Sequence, residues 1–307
     1  MPGRLESPIL SLEPPSSRQP EGWTMYRKIL VPLSNAAGSM DAALDAALFI
    51  GRIFGSRVEV LYARPSPEHL ILVLGRGFAG TMLENALREV QAKIARDCQT
   101  AHERMQGHLR QAGAVGRDPE MVWREVEGPA DKTVAMEGRF ADLILFAKPR
   151  HDGVTDSVWR SMFDAALFGT ARPVILTPFS AVRPIGSRIM IAWNGSPQAT
   201  RAMVAALPLL RHAQEVLIGT FGLGDDIHAD TERLQDYLLM QGVEAKAEHL
   251  PASLRETGSV LLAMAAQFGA DLLVMGGHGR NRLRQWTLGS TTSHVVGLAT
   301  IPVLMVH

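Results

Sequence analysis

The feature that most restricts the fold of this chain is an internal repeat. Residues 141–144 and 270–273 both read Ala-Asp followed by two aliphatic residues. Residues 173–175 and 302–304 both read Pro-Val followed by one aliphatic residue. Each pair is separated by 129 positions, so the stretch between the two motifs has the same length in both halves of the chain. A constant spacing of this kind indicates two copies of one structural unit.

Short strand-like runs separated by helical segments occur five times in each copy. The runs lie at residues 29–33, 58–62, 122–126, 142–146 and 173–176, and again at 188–192, 215–219, 245–250, 271–275 and 302–306. Most are apolar, as is typical of buried parallel strands, with helices crossing over from one strand to the next. The pattern predicts an α/β fold of two tandem open parallel five-stranded sheets with helices on both faces.

The repeat predicts two domains, at residues 25–180 and 186–307, after a leader at residues 1–24. The leader is rich in Pro and Ser and lacks the apolar core, about 7–15 residues long, of a secretory signal, so we predict that it is disordered. Met25 directly precedes the first strand, and the hypothesis that the native chain starts there rather than at Met1 stays open. The first domain holds 31 additional residues, which fall in region 64–116.

Composition limits the partners of the chain. Lys plus Arg and Asp plus Glu both number 31, so the formal net charge is zero and no global field attracts nucleic acid or an anionic membrane. No apolar run reaches the roughly 18 residues of a membrane span. Cys98 is the single cysteine, which excludes an intramolecular disulfide and a multi-cysteine metal site. These features predict a cytoplasmic protein with no nucleic-acid or membrane partner.

A glycine-rich loop follows the fourth strand of the second domain. Two residues separate Gly276 from Gly279, and nine more separate Gly279 from Gly289-Ser290. Glycines let backbone N–H groups approach an anion, and a helix N-terminus adds donors and a positive dipole end. The loop lacks the ending of a Walker motif and the third glycine of the dinucleotide fingerprint. We therefore predict a phosphate cradle of another type; the alternative is that these glycines only form tight turns.

This spacing, framed by a strand before it and by Pro302-Val303 after it, resembles the ATP-binding loop of the universal stress protein family. The resemblance covers nearly all of residues 25–307 as two tandem domains, and it implies the strand order 3-2-1-4-5 in each. It also implies that adenosine lies near the ends of the first and second strands and that the phosphates lie on the loop. The nucleotide-binding residues that it implies are Ala192, Asn194, Ser196, Phe221, Met275, Gly276, His278, Gly279, Arg280, Gly289, Ser290 and Thr291.

Two departures from the family pattern affect this prediction. Asn194 stands where the family has Asp, which changes the hydrogen-bonding pattern and leaves the preference between ATP and AMP open. In the first domain, residues with side chains stand at the equivalent of each glycine position, and one hydroxyl residue is kept. In the repeat, Ala147 corresponds to Gly276, Arg150 to Gly279, Arg160 to Gly289, and Ser161 to Ser290. We therefore predict that the first site is degenerate and that the second domain holds the nucleotide.

The sequence shows no catalytic constellation, such as a Ser-His-Asp signature or a His-Glu-x-x-His motif. The prediction is an adenine-nucleotide-binding universal stress protein with a regulatory or stress-response role. It assigns no catalytic and no metal-binding residues, and at most slow ATP hydrolysis. The ligand would be ATP, ADP or AMP, with Mg²⁺ as an optional companion. The alternative is a nucleotide-free stress-related module that serves as an interaction scaffold.

The last strand of each domain, at residues 174–176 and 303–306, is short, apolar and uncharged. Left exposed, such a strand would be an aggregation-prone sheet edge. Single-domain universal stress proteins commonly dimerise through their last strands, so the resemblance implies that a tandem chain makes this contact internally. We predict that the two strands pair antiparallel and form an intramolecular pseudo-dimer, and a further homodimer stays open.

Overall fold

The structure is a computed structural model that describes residues 26–33, 40–66, 81–112, 118–149, 154–179, 184–221, 225–250, 257–277 and 289–307. The predicted leader at residues 1–24 lies outside the described residues, so its predicted disorder stays a prediction. Strands and helices alternate through both halves, as the sequence pattern predicts.

The elements of the first half, in chain order, are β1 (Lys28–Leu33), α1 (Met40–Phe54), β2 (Arg57–Arg64), α2 (Thr81–Ala112), β3 (Glu120–Glu127), α3 (Ala130–Gly138), β4 (Leu143–Ala147), α4 (Val154–Gly169) and β5 (Val174–Thr177). Those of the second half are β6 (Arg188–Trp193), α5 (Pro197–Leu210), β7 (Glu215–Phe221), α6 (Asp225–Met240), β8 (Lys246–Leu250), α7 (Thr257–Phe268), β9 (Leu272–Gly276), α8 (Ser290–Leu298) and β10 (Val303–Val306). The starts of β4 and β9, and those of β5 and β10, are 129 residues apart, which is the offset of the sequence repeat.

All ten strands form one sheet, in the order β3-β2-β1-β4-β5-β10-β9-β6-β7-β8. The predicted α/β class is confirmed, and the first five and last five strands each keep the neighbours of a 3-2-1-4-5 order. The antiparallel pairing of β5 with β10 joins the two predicted five-stranded sheets into one ten-stranded sheet. This junction is the one antiparallel pair among the described strands; the other neighbours are parallel.

The junction confirms the prediction that the two last strands pair antiparallel. Val174 pairs with Met305, and Leu176 pairs with Val303. The side chains of both strands are buried, so the pairing covers two apolar edges that would otherwise be open to other chains. The sheet therefore ends at β3 and β8, which carry several charged residues.

A continuous apolar cluster covers each face of the sheet and includes residues of both halves. One cluster packs under α1, α2, α5 and α6, and the other under α3, α4, α7 and α8. Successive residues of β10 alternate between them: Leu304 belongs to the first cluster, and Val303 and Met305 belong to the second. The buried Tyr26 also links the halves, since its hydroxyl donates a hydrogen bond to the carbonyl of Ala205 in α5.

The Ala-Asp motif of the repeat has a structural role at the amino ends of the strands. Asp271 accepts hydrogen bonds from the backbone N–H groups of Gly186, Ser187 and Arg188 at 2.8–3.1 Å. Its counterpart Asp142 accepts one from the Lys28 backbone at 2.9 Å. Each aspartate, which lies just before one strand, thus connects that strand to the start of its neighbour by hydrogen bonds. These contacts lie at the amino ends of the strands, opposite the carboxyl ends.

None of the described helices combines the length and the apolarity that crossing a membrane requires.

Candidate functional site

The strand order of the second half reverses direction between β6 and β9. β6 pairs with β7 on one side and with β9 on the other, and Ile191 of β6 lies opposite Val274 of β9. The helix that follows β6, α5, covers one face of the sheet, whereas the helix that follows β9, α8, covers the other. In open parallel sheets, such a switch point leaves a crevice at the carboxyl ends of the strands, and ligands bind there.

The turn between β6 and α5 forms one wall of this crevice. The Oδ1 atom of Asn194 accepts a hydrogen bond from the Ser196 backbone at 3.2 Å, so this oxygen already serves the turn. Gly195 has a φ of +69°, a backbone conformation that favours glycine. Ser196 then caps α5, because its Oγ accepts the backbone N–H of Ala199 at 3.2 Å, and Pro197 begins the helix. Asn194 itself is exposed.

Gly276 ends β9 where the strand comes closest to the first turn of α5. A Cβ on Gly276 would lie 2.8 Å from the backbone nitrogen of Ala199 and 2.8 Å from the Cβ of Gln198. Real Cβ atoms do not approach backbone atoms this closely, so packing alone requires a glycine here. The residue before it, Met275, is buried in the apolar cluster on the other face of the sheet. The sequence pattern pointed to this glycine because of phosphate binding, and the structure adds a steric reason.

The other wall is the start of α8. Ser290 is the first helical residue and Gly289 is the N-cap, with φ −62° and ψ 160°. Because glycine has no side chain, no side-chain hydrogen bond caps this helix, in contrast to Ser196 at α5. The first N–H groups of any helix lack intrahelical partners and form the positive end of its dipole. The start of α8 can therefore donate to an anion, beside the exposed hydroxyl of Ser290.

The structure brings most of the predicted site residues to this edge of the sheet. They lie at the end of β6 and the start of α5 (Ala192, Asn194, Ser196), at the end of β9 (Met275, Gly276) and at the start of α8 (Gly289, Ser290, Thr291). Phe221 is the last residue of β7, next to β6 in the sheet. The predicted loop residues His278, Gly279 and Arg280 lie outside the described residues. That these residues bind a nucleotide stays a prediction.

The equivalent position of the first half, between β1 and β4, is covered by Trp159 of α4. The Nε1 atom of Trp159 donates a hydrogen bond to the carbonyl of Ala147 at 2.9 Å, and the indole is buried against the rings of Phe146 and Phe163. Ala147 is the counterpart of Gly276, since the two residues end β4 and β9 and are 129 positions apart. An aromatic side chain thus lies against the end of β4, the strand equivalent to β9.

Helix α4 also extends further than its counterpart. Both helices end at equivalent positions, Gly169 and Leu298, but α4 has 16 residues and α8 has nine. The difference of seven residues corresponds to about 10 Å of additional helix at the carboxyl edge of the sheet. Arg160, the counterpart of Gly289, consequently lies inside α4, and its Nε is 3.2 Å from Asp164. Arg150, the other predicted replacement, lies outside the described residues.

Lys148 follows β4 and connects the two halves. Its Nζ donates to the carbonyl of Ala299 at 2.8 Å and to that of Gly297 at 3.3 Å, both at the C-terminal end of α8. Burial lowers the pKa of Lys148 to about 8. The negative end of the helix dipole favours a cation there. This lysine therefore serves the junction between the halves.

Two residues with a direct place at these sites were missed by sequence reasoning. One is Trp159. The other is Asp230 of α6, whose Oδ2 accepts a hydrogen bond from the Nε1 of Trp193, the last residue of β6, at 2.8 Å. Neither belongs to a local motif, and only the packing of a helix against a distant strand end places it. The described residues contain no group of three or more His, Cys, Asp or Glu side chains that could hold a metal ion.

Comparison with known proteins agrees with this architecture. The model of the universal stress protein family matches residues 187–307, which are β6 to β10 with their helices. This second half of the chain, residues 187–307, is therefore similar to the universal stress protein family.

Its curated relatives include universal stress protein Slr1230 of Synechocystis sp., with 26% identity over 143 residues, which are 43% of this chain and 46% of that protein. They also include universal stress protein MJ0577 of Methanocaldococcus jannaschii, with 26% identity over 104 residues, 30% of this chain and 64% of that protein. The chain thus spans less than two thirds of the length of these relatives. The crystal structure of a universal stress protein from Archaeoglobus fulgidus shares the fold over 92% of this chain and 97% of its own, with a TM-score of 0.67 and 14% identity.

Proposed function

We propose that the second half of this chain binds an adenine nucleotide and that the protein has a regulatory role in the stress response. The observation that carries the proposal is the switch-point crevice between β6 and β9, which the starts of α5 and α8 border from opposite faces of the sheet. The start of α8, which has no side-chain cap, favours a group of high negative charge, and a phosphate chain is such a group. The match of residues 187–307 to the universal stress protein family supports the same proposal.

The geometry favours one direction for the ligand. Phosphates at the start of α8 would lie beyond β9, and the nucleoside could then extend toward β10 or toward β6. On the β10 side, the ring of His307 lies 3.0 Å from the carbonyl of Gly277 and packs edge-on against Phe168 of the first half. We therefore place the sugar over the end of β6 and the base toward β7, so that Asn194 and Phe221 are nearest to the nucleoside.

The remaining predicted residues have roles in this arrangement. Gly279, His278 and Arg280 would complete the phosphate loop between β9 and α8, and any Mg²⁺ would be carried by the phosphates. The Oδ1 of Asn194 is engaged with the Ser196 backbone, so its amide NH₂ is the group left to donate to the ligand. The proposed role is binding.

We further propose that the first half acts as a built-in partner that does not bind nucleotide. Trp159 covers the end of β4, and Arg160 is paired with Asp164. The antiparallel β5–β10 junction supports an intramolecular pseudo-dimer of two domains, at residues 25–180 and 186–307. A partner that covers the edge of β10 would explain why a half with no phosphate site is part of the protein.

Ligand identification tests the proposal. Native mass spectrometry of the purified protein should detect a bound mass that matches ATP, ADP or AMP, at one equivalent per chain. Isothermal titration calorimetry with the three nucleotides, after the protein has been stripped of ligand, should then rank them. A chain that copurifies with no nucleotide and binds none of the three at millimolar concentration would instead be a nucleotide-free interaction module.

A further inference from the structure

Asp230 of α6 brings a carboxylate to the end of β6, beside the turn that begins the candidate site. Its Oδ2 accepts the indole N–H of Trp193 at 2.8 Å, and Trp193 is itself buried in the apolar cluster on that face. The indole therefore holds the carboxylate in one place at the carboxyl edge of the sheet. Asp230 is half-buried, so it remains partly accessible to solvent.

Gly195 makes room for this carboxylate. A Cβ on Gly195 would lie 3.0 Å from the Oδ2 atom of Asp230, which is closer than ordinary packing allows. Gly195 also has a φ of +69°, so both its conformation and its lack of a side chain suit this close approach. The carboxylate thus lies directly over the β6–α5 turn, one residue from Asn194.

Asp230 forms no ion pair with a cation among the described residues. Other carboxylates in this part of the chain, such as Glu59 and Glu215, do form ion pairs. Trp193 is the single hydrogen-bond donor to Asp230 in the described part of the chain. A carboxylate only accepts hydrogen bonds, and two oxygens accept more than one. The Oδ1 of Asn194, the other acceptor at this turn, is engaged with Ser196. The principal acceptor at the end of β6 is therefore Asp230.

From this arrangement we infer that Asp230 accepts hydrogen bonds from the sugar hydroxyl groups of the bound nucleotide and so selects ribonucleotides over deoxyribonucleotides. The inference rests on the proposed function, which places the phosphates at the start of α8 and the sugar over the end of β6, because His307 and Phe168 occupy the β10 side. The negative charge also disfavours phosphate groups on the β6 side, so it fixes the orientation in which the nucleotide lies. Asp230 is thus a specificity-determining residue supplied by α6.

Calorimetry with paired ligands and paired variants tests the inference. The unmodified protein should bind ATP at least 10-fold more tightly than 2′-deoxyATP or 3′-deoxyATP, since a hydrogen bond to a charged group contributes roughly 10- to 100-fold in affinity. Asp230→Asn keeps the size of the side chain and an acceptor for Trp193, but loses the charge. It should bind ATP about 10-fold more weakly and discriminate less between ATP and the deoxynucleotides. Asp236→Asn, the same change at an exposed position of α6, is the control and should match the unmodified protein.

The outcomes separate the two proposals. ATP binding that is equally tight in the unmodified protein and in Asp230→Asn, or a discrimination ratio that the substitution leaves unchanged, overturns the role of Asp230 and leaves the proposed function standing. Absence of ATP binding by the unmodified protein overturns both. A thermal unfolding midpoint of Asp230→Asn equal to that of Asp236→Asn shows that a weaker affinity does not result from a damaged fold.

Discussion

Ile175 pairs with Leu304 at the centre of the sheet, and the two residues are each other's counterparts in the sequence repeat, 129 positions apart. The pairs on either side are also related by exchange of the halves: Val174 with Met305, and Leu176 with Val303. A contact in which position i meets j and j meets i is the isologous contact of a two-fold dimer. One chain thus contains the kind of contact that two identical chains would make around a two-fold axis.

This contact predicts that the halves unfold together. Ile175 and Leu304 are fully buried, so Ile175→Ala and Leu304→Ala should each lower the free energy of unfolding by about 2–5 kcal/mol. Each should shift a single cooperative transition in differential scanning calorimetry, because both apolar clusters span the two halves. Ile53→Ala, at a partly exposed position of α1, is the control and should change little. Two separate transitions, with only one moved by each substitution, would mean that the halves are independent.

Crowding at Gly276 predicts a loss of stability on adding a single methyl group. In Gly276→Ala the new Cβ would meet the backbone of Ala199, and we expect a cost of about 1–3 kcal/mol in urea unfolding. Gly297→Ala is the matched control in α8, because no atom lies within 4 Å of its Cβ position and alanine favours a helix by roughly 0.5–1 kcal/mol. A Gly276→Ala protein as stable as the unmodified one would show that β9 and α5 are not in this close contact.

A negative charge at the start of α8 should separate binding from stability. Asp favours a helix N-terminus by about 0.3–1 kcal/mol, so Ser290→Asp should be at least as stable as the unmodified protein. The same charge repels phosphate. The affinity of the Ser290→Asp protein for ATP, measured by calorimetry, should therefore fall at least about 10-fold. Ser161→Asp, the change at the counterpart in α4, should leave ATP affinity unaltered. Equal losses in both variants would place the phosphates away from α8.

The lowered pKa of Lys148 predicts a pH dependence of stability. Burial brings its pKa to about 8 in the folded protein, against 10.5 in its ordinary state. Between these values the unfolded chain binds more protons, so this group makes the free energy of unfolding rise with pH from about 8 upward. The rise should appear in urea unfolding at pH 7 to about 9.5, below the range in which tyrosines ionise in the unfolded chain.

Lys148→Gln is the reference for this measurement. The glutamine keeps a donor for the carbonyl of Ala299 but has no ionisable group. The difference in the free energy of unfolding between the two proteins therefore reports the ionisation of Lys148 alone. That difference should change with pH in favour of the unmodified protein. A constant difference from pH 7 to about 9.5 would show that the lysine remains ionised throughout.

The fold could be predicted largely from local patterns. Apolar runs and their spacing indicated the strands, and the offset of 129 residues appears unchanged between β4 and β9. The antiparallel pairing of the last strands also followed from their apolar edges and from the resemblance. This pairing makes one ten-stranded sheet of the two five-stranded halves, and a strand pattern alone does not state that continuity.

The sequence could indicate Gly276 and Gly289 because a close backbone approach and the start of a helix both favour glycine, which then appears at a fixed position in the sequence. By itself, the sequence thus determined the strands, the repeat and the placement of Gly276 at a strand end and Gly289 at a helix start. Only the tertiary structure decided that Trp159 covers the end of β4, that Asp230 reaches Trp193, and that Gly276 is crowded by α5. The physical reason is that these contacts join separate elements, 12 residues apart for Trp159 and Ala147 and 37 apart for Trp193 and Asp230, through packing that no local pattern encodes.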